Sequence, residues 1–194
     1  AQQAYPNKPI RIITPYAPGG STGIVARLVG QKLTEDWGQQ VIVDNRPGGN
    51  GFIGGEALAK ASPDGHTLNL VSPTHIITPL LIPAPYDTIK DFAPVAPVSS
   101  SAFVLVLHPS LPANTLQEFI ALAKARPGQL NYASSGSGAV AHLATELFNI
   151  MTEVRMQHIP YKGGGPAVTD LIGGQVQLYF SPPAPVIPHV KSGK

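Results

Sequence analysis

A chain of 194 residues is long enough to bury a sizeable core, as one large domain or two small ones. Charged residues make up 12% and the formal net charge is +2, with Lys and Arg spread along the chain, which excludes the basic stripe that a nucleic-acid partner requires. The absence of cysteine excludes thiol nucleophiles, Cys-zinc sites and disulfides, and no apolar run approaches the roughly 20 residues that span a bilayer.

The chain opens Ala1-Gln2-Gln3-Ala4-Tyr5-Pro6, which suits the mature end left by signal-peptide cleavage. Ile10-Arg11-Ile12-Ile13 reads as a buried strand. Pro15 to Gly20 is a turn, and Ser21 or Thr22 caps a helix to about Trp37 on which Val25, Leu28, Val29 and Leu33 recur at helical spacing. Val41-Ile42-Val43 is a second strand, followed by a loop from Asp44 to Asn50, a helix from about Phe52 to Lys60 and a third strand from Thr67 to Val71. This alternation calls for a parallel sheet with helices on both faces.

The pattern then restarts. Phe103 to Leu107 is a strand, and Thr115 to Ala125 a helix capped by Asn114 or Thr115, with Leu116, Phe119, Ile120 and Leu122 or Ala123 facing inward. Asn131-Tyr132-Ala133 is a short strand, Ala139 to Met151 a helix, Met156 to Ile159 a strand, Pro166 to Ile172 a helix and Val176 to Phe180 a strand. Between the halves lies the proline-rich stretch Ile82 to Ser101, in which Phe92 to Val98 reads as a crossing strand. The boundary falls near Ser100, giving a first α/β domain over 1–100 and a second over 101–194.

Two α/β units joined by a crossing segment make a cleft, and open α/β sheets bind ligands beyond the carboxyl ends of their strands. Loop one, Pro15-Tyr16-Ala17-Pro18-Gly19-Gly20-Ser21-Thr22-Gly23, combines glycines that let backbone approach a ligand, a helix start with unpaired N–H groups, and two neutral hydroxyls. It reads either as an anion site without a cationic side chain or as an ordinary βα turn with a helix cap. Loop two, Ala133-Ser134-Ser135-Gly136-Ser137-Gly138, repeats the device in the second half. A Ser/Gly linker is the alternative there, but linkers do not sit hard between a strand and an amphipathic helix. Two helix starts facing each other across a cleft would hold both ends of a diacid or both oxygens of one carboxylate. Loop three is Ser72-Pro73-Thr74-His75, and loop four is Pro160-Tyr161-Lys162-Gly163-Gly164-Gly165, where Tyr161 reaches for the ligand body and Lys162 reads as a solvated surface lysine before a charge clamp.

Enzyme readings find little. Gly49-Asn50-Gly51-Phe52-Ile53-Gly54 matches G-x-G-x-x-G, but it follows the second strand at a distance, and about 20 residues on, where a ribose-binding acid belongs, stand Pro73, Thr74 and His75. Its glycines shape the turn beside Arg46 and Pro47. Ser137 lacks the spacing of a nucleophile elbow. The six histidines form no H-x-x-x-H pair or HExxH, so no metal or other cofactor is expected. His142 and Glu146 read as an i, i+4 hydrogen-bonded pair that steadies its helix.

Taken together, the motifs resemble a known family. Pro9-Ile10-Arg11-Ile12-Ile13, Tyr16-Ala17-Pro18-Gly19-Gly20-Ser21-Thr22, Ala26-Arg27, Gly38-Gln39-Gln40-Val41-Ile42-Val43, Asn45-Arg46-Pro47-Gly48, Pro63-Asp64-Gly65, Tyr132-Ala133-Ser134-Ser135-Gly136, His142-Leu143, Glu146-Leu147 and Pro160-Tyr161-Lys162-Gly163 are similar to the Bug receptors, the TctC-like substrate-binding components of tripartite tricarboxylate transporters. The resemblance implies a periplasmic-binding-protein-like (Venus flytrap) architecture, periplasmic localisation, no catalysis, and a small carboxylate or dicarboxylate ligand passed to a membrane permease. It implies that backbone groups and hydroxyls of two loops hold the carboxylate, which marks Tyr16, Gly19, Gly20, Ser21 and Thr22, then Ser134, Ser135, Gly136 and Ser137, with Thr74 and Tyr161. A ligand-sensing or interaction domain of the same fold is the alternative function.

There are departures. Family members often carry an acid where this chain has Gly23, and many have an Asp where it has Ser181, so an ammonium group finds fewer partners and a carboxylate without one is expected. Family members also continue well past Pro188 to Lys194 and return to complete the first domain. The sequence therefore reads as a fragment, or as a chain completed by another through protomer exchange or dimerisation, with impaired closure or reduced solubility in isolation.

Overall fold

Ile10–Thr14 forms β1 because a run that is β-branched apart from Arg11 suits a strand covered on both faces, and Ile10, Ile12 and Ile13 are all buried. β1 is the middle of a three-stranded parallel sheet, between β2 (Val41–Asn45) and β3 (Thr67–Asn69), with Ile12 level with Val43 on one side and Leu68 on the other. The computed structural model describes residues 5–194, so the Ala1-Gln2-Gln3-Ala4 stretch read as a mature terminus lies outside the described residues. Contacts divide the chain into two compact units, 1–100 and 101–194.

In the first unit, α1 (Ser21–Trp37) lays Gly23, Ala26 and Gly30 toward the sheet. Small residues allow the close approach: a Cβ at Gly30 would meet Val41 Cγ1 at 3.2 Å. Leu28, part of the apolar repeat on this helix, is 60% exposed, because the glycine and alanine positions take the buried face. Gly38, with φ 67°, ends the helix by giving its N–H to the Thr34 carbonyl. α2 (Phe52–Ala59) follows a 3₁₀ turn at Gly49–Gly51, and a Cβ at Gly54 would lie 2.8 Å from Pro15 Cα. That close approach explains the glycine-rich run as helix packing against the β1 exit. A short α3 (Thr74–Ile77) follows β3.

Residues 92–98 form no strand. Pro94 and Pro97 have no amide hydrogen for a ladder. Phe92 joins an aromatic cluster instead, edge-on to His75 at 4.9 Å and to Tyr86 at 5.1 Å.

The second unit has a four-stranded sheet in the order β4-β7-β5-β6, comprising β4 (Val104–Leu107), β5 (Asn131–Ser134), β6 (Gln157–Pro160) and β7 (Leu178–Ser181). β5 runs parallel to β6 and β7, and β4 is an antiparallel edge on β7. α4 (Leu116–Ala125) opens on a full capping box between Thr115 and Glu118. It buries Phe119 and Ala123, while Leu116 is 49% exposed rather than inward, since it occupies the first helical position ahead of the covered turn. α5 (Val140–Thr152), α6 (Gly164–Ile172) and α7 (Pro183–Lys191) each follow a strand of this sheet. One side of the sheet gathers Phe119, Leu130, Tyr132 and Leu178, and the other Ala133, Ala141, Val168, Tyr179 and Val186. α7 is absent from the sequence reading because Pro182-Pro183-Ala184-Pro185 looks like a loop, yet proline is tolerated in a first helical turn, where its missing N–H has no partner to lose.

Candidate functional site

The parallel ladder sets the exits of the first unit together. Thr14 pairs with Asn45 and Ile13 with Asn69, so the segments after β1, β2 and β3 leave one edge of the sheet. Loop one is fixed there from below. Asn45 Nδ2 donates to Thr14 Oγ1 at 2.6 Å and to the Tyr16 carbonyl at 2.8 Å, and Asn45 Oδ1 accepts from Arg27 Nη2 at 3.1 Å. Arg27 Nη1 donates to the Gly23 carbonyl at 2.9 Å, which ties the same guanidinium to the first turn of α1. The Tyr16 side chain points inward. Its hydroxyl lies 2.8 Å from Ser72 Oγ in loop three, and burial pushes its phenol pKa up while the hydroxyls of Ser72 and Thr74 pull it down.

Tyr16 and Thr74, at 8% and 4% exposure, are thus committed to each other through loop three rather than reaching outward. The helix cap is Gly20, with extended φ and ψ and no side-chain cap bond; Ser21 and Thr22 are the first helical residues, not caps. Ile24 N–H is the first amide to close onto Gly20, so the N–H groups of Ser21, Thr22 and Gly23 have no partner within the helix. Half-exposed Ser21 and Thr22 hydroxyls stand beside them, and Pro18 and Gly19 are exposed. His75 is drawn away, stacked on Tyr86 at 5.6 Å, and burial lowers its pKa.

In the second unit Ser134 pairs with Pro160 and Ala133 with Tyr179, so the segments that lead into α5, α6 and α7 leave one edge of that sheet. Loop two is fixed by a polar column. Ser134 is fully buried; its Oγ donates to the Gly136 carbonyl at 3.0 Å, accepts the Gly136 N–H at 3.1 Å and lies 2.6 Å from His158 Nε2 on β6. Gly138 N–H goes to His142 Nδ1 at 3.1 Å. The His142 and His158 rings stack at 4.1 Å, and Tyr132 stacks on His158 at 4.9 Å. The Tyr132 hydroxyl donates to Glu146 Oε1, which also accepts from Asn149 Nδ2 at 3.4 Å. Burial, then the Glu146 carboxylate, raises the Tyr132 pKa.

This column corrects two expectations. His142 bonds to the loop and Glu146 to Tyr132, so the pair anticipated along the helix is two separate anchors. The Ser134 hydroxyl and the Gly136 amide are spent on each other, which leaves half-exposed Ser135 and Ser137 as the outward groups of the loop. Tyr161 is committed as well: its hydroxyl donates to Asp170 Oδ2 at 2.7 Å, its N–H goes to the Ser134 carbonyl at 3.0 Å, and burial with Asp170 pushes its phenol up to about 12. Sequence reasoning missed His158, Asn45 and Arg27, whose roles depend on partners 24, 31 and 18 residues away.

Ser181 is fully buried and donates to the Pro182 carbonyl at 2.8 Å, so the β7 exit offers no charge. A groove lined by Val106, His108, Leu171, Ile172, Val186 and His189 has room for about one water and contains none of the expected site residues. Among the described residues no cluster of three His, Cys, Asp or Glu could hold a metal, and no helix is long and apolar enough to cross a membrane.

With this geometry in place, comparison with known proteins is specific. The family model described as "Tripartite tricarboxylate transporter family receptor" matches residues 25–194. Protein BugT of Bordetella pertussis is 43% identical over 192 residues, which cover 97% of this chain and 59% of BugT. A structure described as a periplasmic transporter superposes with TM-score 0.94 at 43% identity, covering 98% of this chain and 64% of that one. An R. palustris protein solved with adipate gives TM-score 0.95 at 34% identity, covering 98% and 64%. MatC from Rhodopseudomonas palustris, with bound malate, gives 0.89 at 31%, covering 97% and 65%. The α/β fold is therefore that of periplasmic binding proteins, and this chain spans about three fifths of the length of the relatives it matches.

Proposed function

We infer function from one premise: the chain belongs to the tripartite tricarboxylate transporter receptor family. On that premise it is an extracytoplasmic, periplasmic solute-binding protein that captures a small carboxylate or dicarboxylate without chemical turnover and delivers it to a membrane permease. The observation that carries this reading is a device repeated in both units. In each, a glycine turn at a parallel strand end leads into a helix start that has no side-chain cap and has hydroxyl residues beside it. Amide hydrogens and the positive end of a helix dipole suit carboxylate oxygens without a cationic side chain.

The ligand-contacting set we propose is Gly19, Gly20, Ser21 and Thr22 in loop one, and Ser135 and Ser137 in loop two. Tyr16, Thr74, Ser134, Gly136 and Tyr161 shape those loops from behind. Adipate and malate in two structural relatives support the ligand class. The family resemblance implies an acid at the positions of Gly23 and Ser181, and neither residue carries a charge to pair with an ammonium group, so we take the ligand to be a carboxylate without one rather than an amino acid.

Isothermal titration with adipate, malate and glutamate tests this reading. The diacids should bind, glutamate should bind at least about tenfold more weakly, and Ser21→Ala or Ser137→Ala should each weaken diacid binding by about tenfold. Tight glutamate binding with no diacid binding would overturn it.

A further inference from the structure

Two glycine amides of loop two are turned inward: one ends on an imidazole, the other on a serine hydroxyl held by a second imidazole. Gly136 N–H meets Ser134 Oγ, which lies 2.6 Å from His158 Nε2, and Gly138 N–H meets His142 Nδ1. Both glycines have positive φ, 143° and 78°, so the turn needs these bonds to hold one shape. Ser135 and Ser137 alternate with the anchored glycines and are left half-exposed.

We propose that His142 and His158 are positioning residues for carboxylate capture: the uncharged stacked pair anchors Gly136 and Gly138 so that Ser135 and Ser137 face the ligand, and a proton on the pair releases both turn and ligand. This inference rests on the carboxylate-binding reading above.

The chemistry of the acceptor gives the direction. His142 takes an amide hydrogen on Nδ1, so its own proton in the neutral form sits on Nε2. A second proton would place a donor against the Gly138 N–H and break that bond. With centroids at 4.1 Å, a charge on one ring also opposes a charge on the other. The titratable groups facing the pair are the Tyr132 phenol from β5 and Glu146 from α5, and Glu146 is bonded to Tyr132 and Asn149 rather than to either imidazole. β7 brings Leu178 and Phe180 to the cluster that holds Tyr132. Burial, then His142, lowers the His158 pKa to about 4 with Glu146 opposing, so His158 is uncharged at neutral pH.

The test uses the full chain and two independent readouts at about pH 8 and about pH 5. One is the amide-exchange protection of residues 136–138 without ligand, corrected for intrinsic exchange. The other is calorimetric titration with adipate and with malate, each dissociation constant referred to the doubly ionised diacid, because the second carboxyl of either ligand itself titrates near about pH 5. His142→Asn puts an amide oxygen where Nδ1 stood, and His158→Gln puts an amide where Nε2 stood; neither titrates. In the native chain, protection should fall and the dissociation constant should rise about tenfold in acid. The double variant should keep protection and bind with less than about a twofold change between the two pH values. His142→Asn alone should behave similarly at Gly138 and serves if the double variant does not fold. His142→Leu should lose protection and affinity at both pH values. Protection that ignores pH in the native chain, or acid weakening that survives unchanged in the non-titrating variants, overturns the proposal. Protection that behaves as expected in a chain binding no carboxylate upholds the latch and overturns the carboxylate reading instead.

Discussion

Loop one and loop two read alike in sequence but are held by different chemistry. Loop one hangs on an asparagine amide, a guanidinium, and the hydroxyls of Thr14, Tyr16 and Ser72. None of these changes charge near neutrality: a guanidinium stays protonated, and burial raises the Tyr16 phenol. Loop two hangs on two imidazoles and one serine. The lesson is that a glycine turn at a helix start is a shape that needs an anchor, and the anchor decides what the turn responds to. Loop one should answer to the loss of a dipole and be indifferent to acid; loop two should answer to both.

The largest effect should come from the loop-one hub. Asn45→Leu approximates the side-chain volume but leaves Thr14 Oγ1, the Tyr16 carbonyl and one arm of Arg27 without their partner. Several unsatisfied polar groups in a part-buried site should cost about 2–4 kcal/mol. Trp37, the single tryptophan, closes α1 in the same unit, so its fluorescence during denaturant titration reports this loss. The deficit should be the same at about pH 8 and about pH 5. A loss below about 0.5 kcal/mol, or one that grows in acid, would erase the contrast between the two anchors.

Much of this was legible beforehand, for reasons that particular residues illustrate. The run Ile10 to Ile13 and the later short apolar runs fix the strands, and Thr115 with Glu118 announces α4, because periodicity and capping are local signals. The two loops stood out because glycine and serine interrupt a strand-to-helix change of period. What local pattern does not carry is who spends each amide. Ser135 and Ser137 cannot be told from Ser134 until β6 lies beside β5 and brings His158 to Ser134. The outward placement of Leu28 and Leu116 has the same origin: helical spacing names a stripe, and the neighbouring sheet chooses which stripe is covered. The missing strand at 92–98 and the added α7 both turn on proline, which fails in a ladder and is accepted at a helix start.

A smaller effect sharpens the contrast through pH. A free imidazole protonates at about 6.5, whereas His158 in the fold does so only at about 4. Between those values the unfolded chain binds more protons than the folded one. Stability is therefore fully present above the upper value, falls as pH drops through the window, and changes no further from this group below the lower value. Allowing for solvent screening of a half-buried ring, the loss is roughly 1–2 kcal/mol. Exchange protection of β5 and β6 amides across this window should show the fall, and His158→Gln should remove it. His75 in the first unit is also lowered, by burial, but it sits with Tyr86 and Phe92 rather than in the loop-one anchor. Its protonation should leave the protection of Ile24 and Arg46, the amides that close loop one, unchanged.

The smallest effect tests what the two loops have in common. Lys162 is exposed and precedes Gly163, whose φ of 133° opens α6. If amides, hydroxyls and helix ends suffice for a carboxylate, this ammonium is dispensable. Lys162→Ala should then change the adipate and malate dissociation constants by less than about threefold and stability by less than about 0.5 kcal/mol. Ser137→Ala should cost more than Lys162→Ala in the same titration. The reverse order, with a Lys162 effect that strengthens as salt is lowered, would mean that a point charge does the gripping. The recurrence of glycine turns in both units would then be a property of βα connections in general, and the anchors beneath them would serve the fold rather than the ligand.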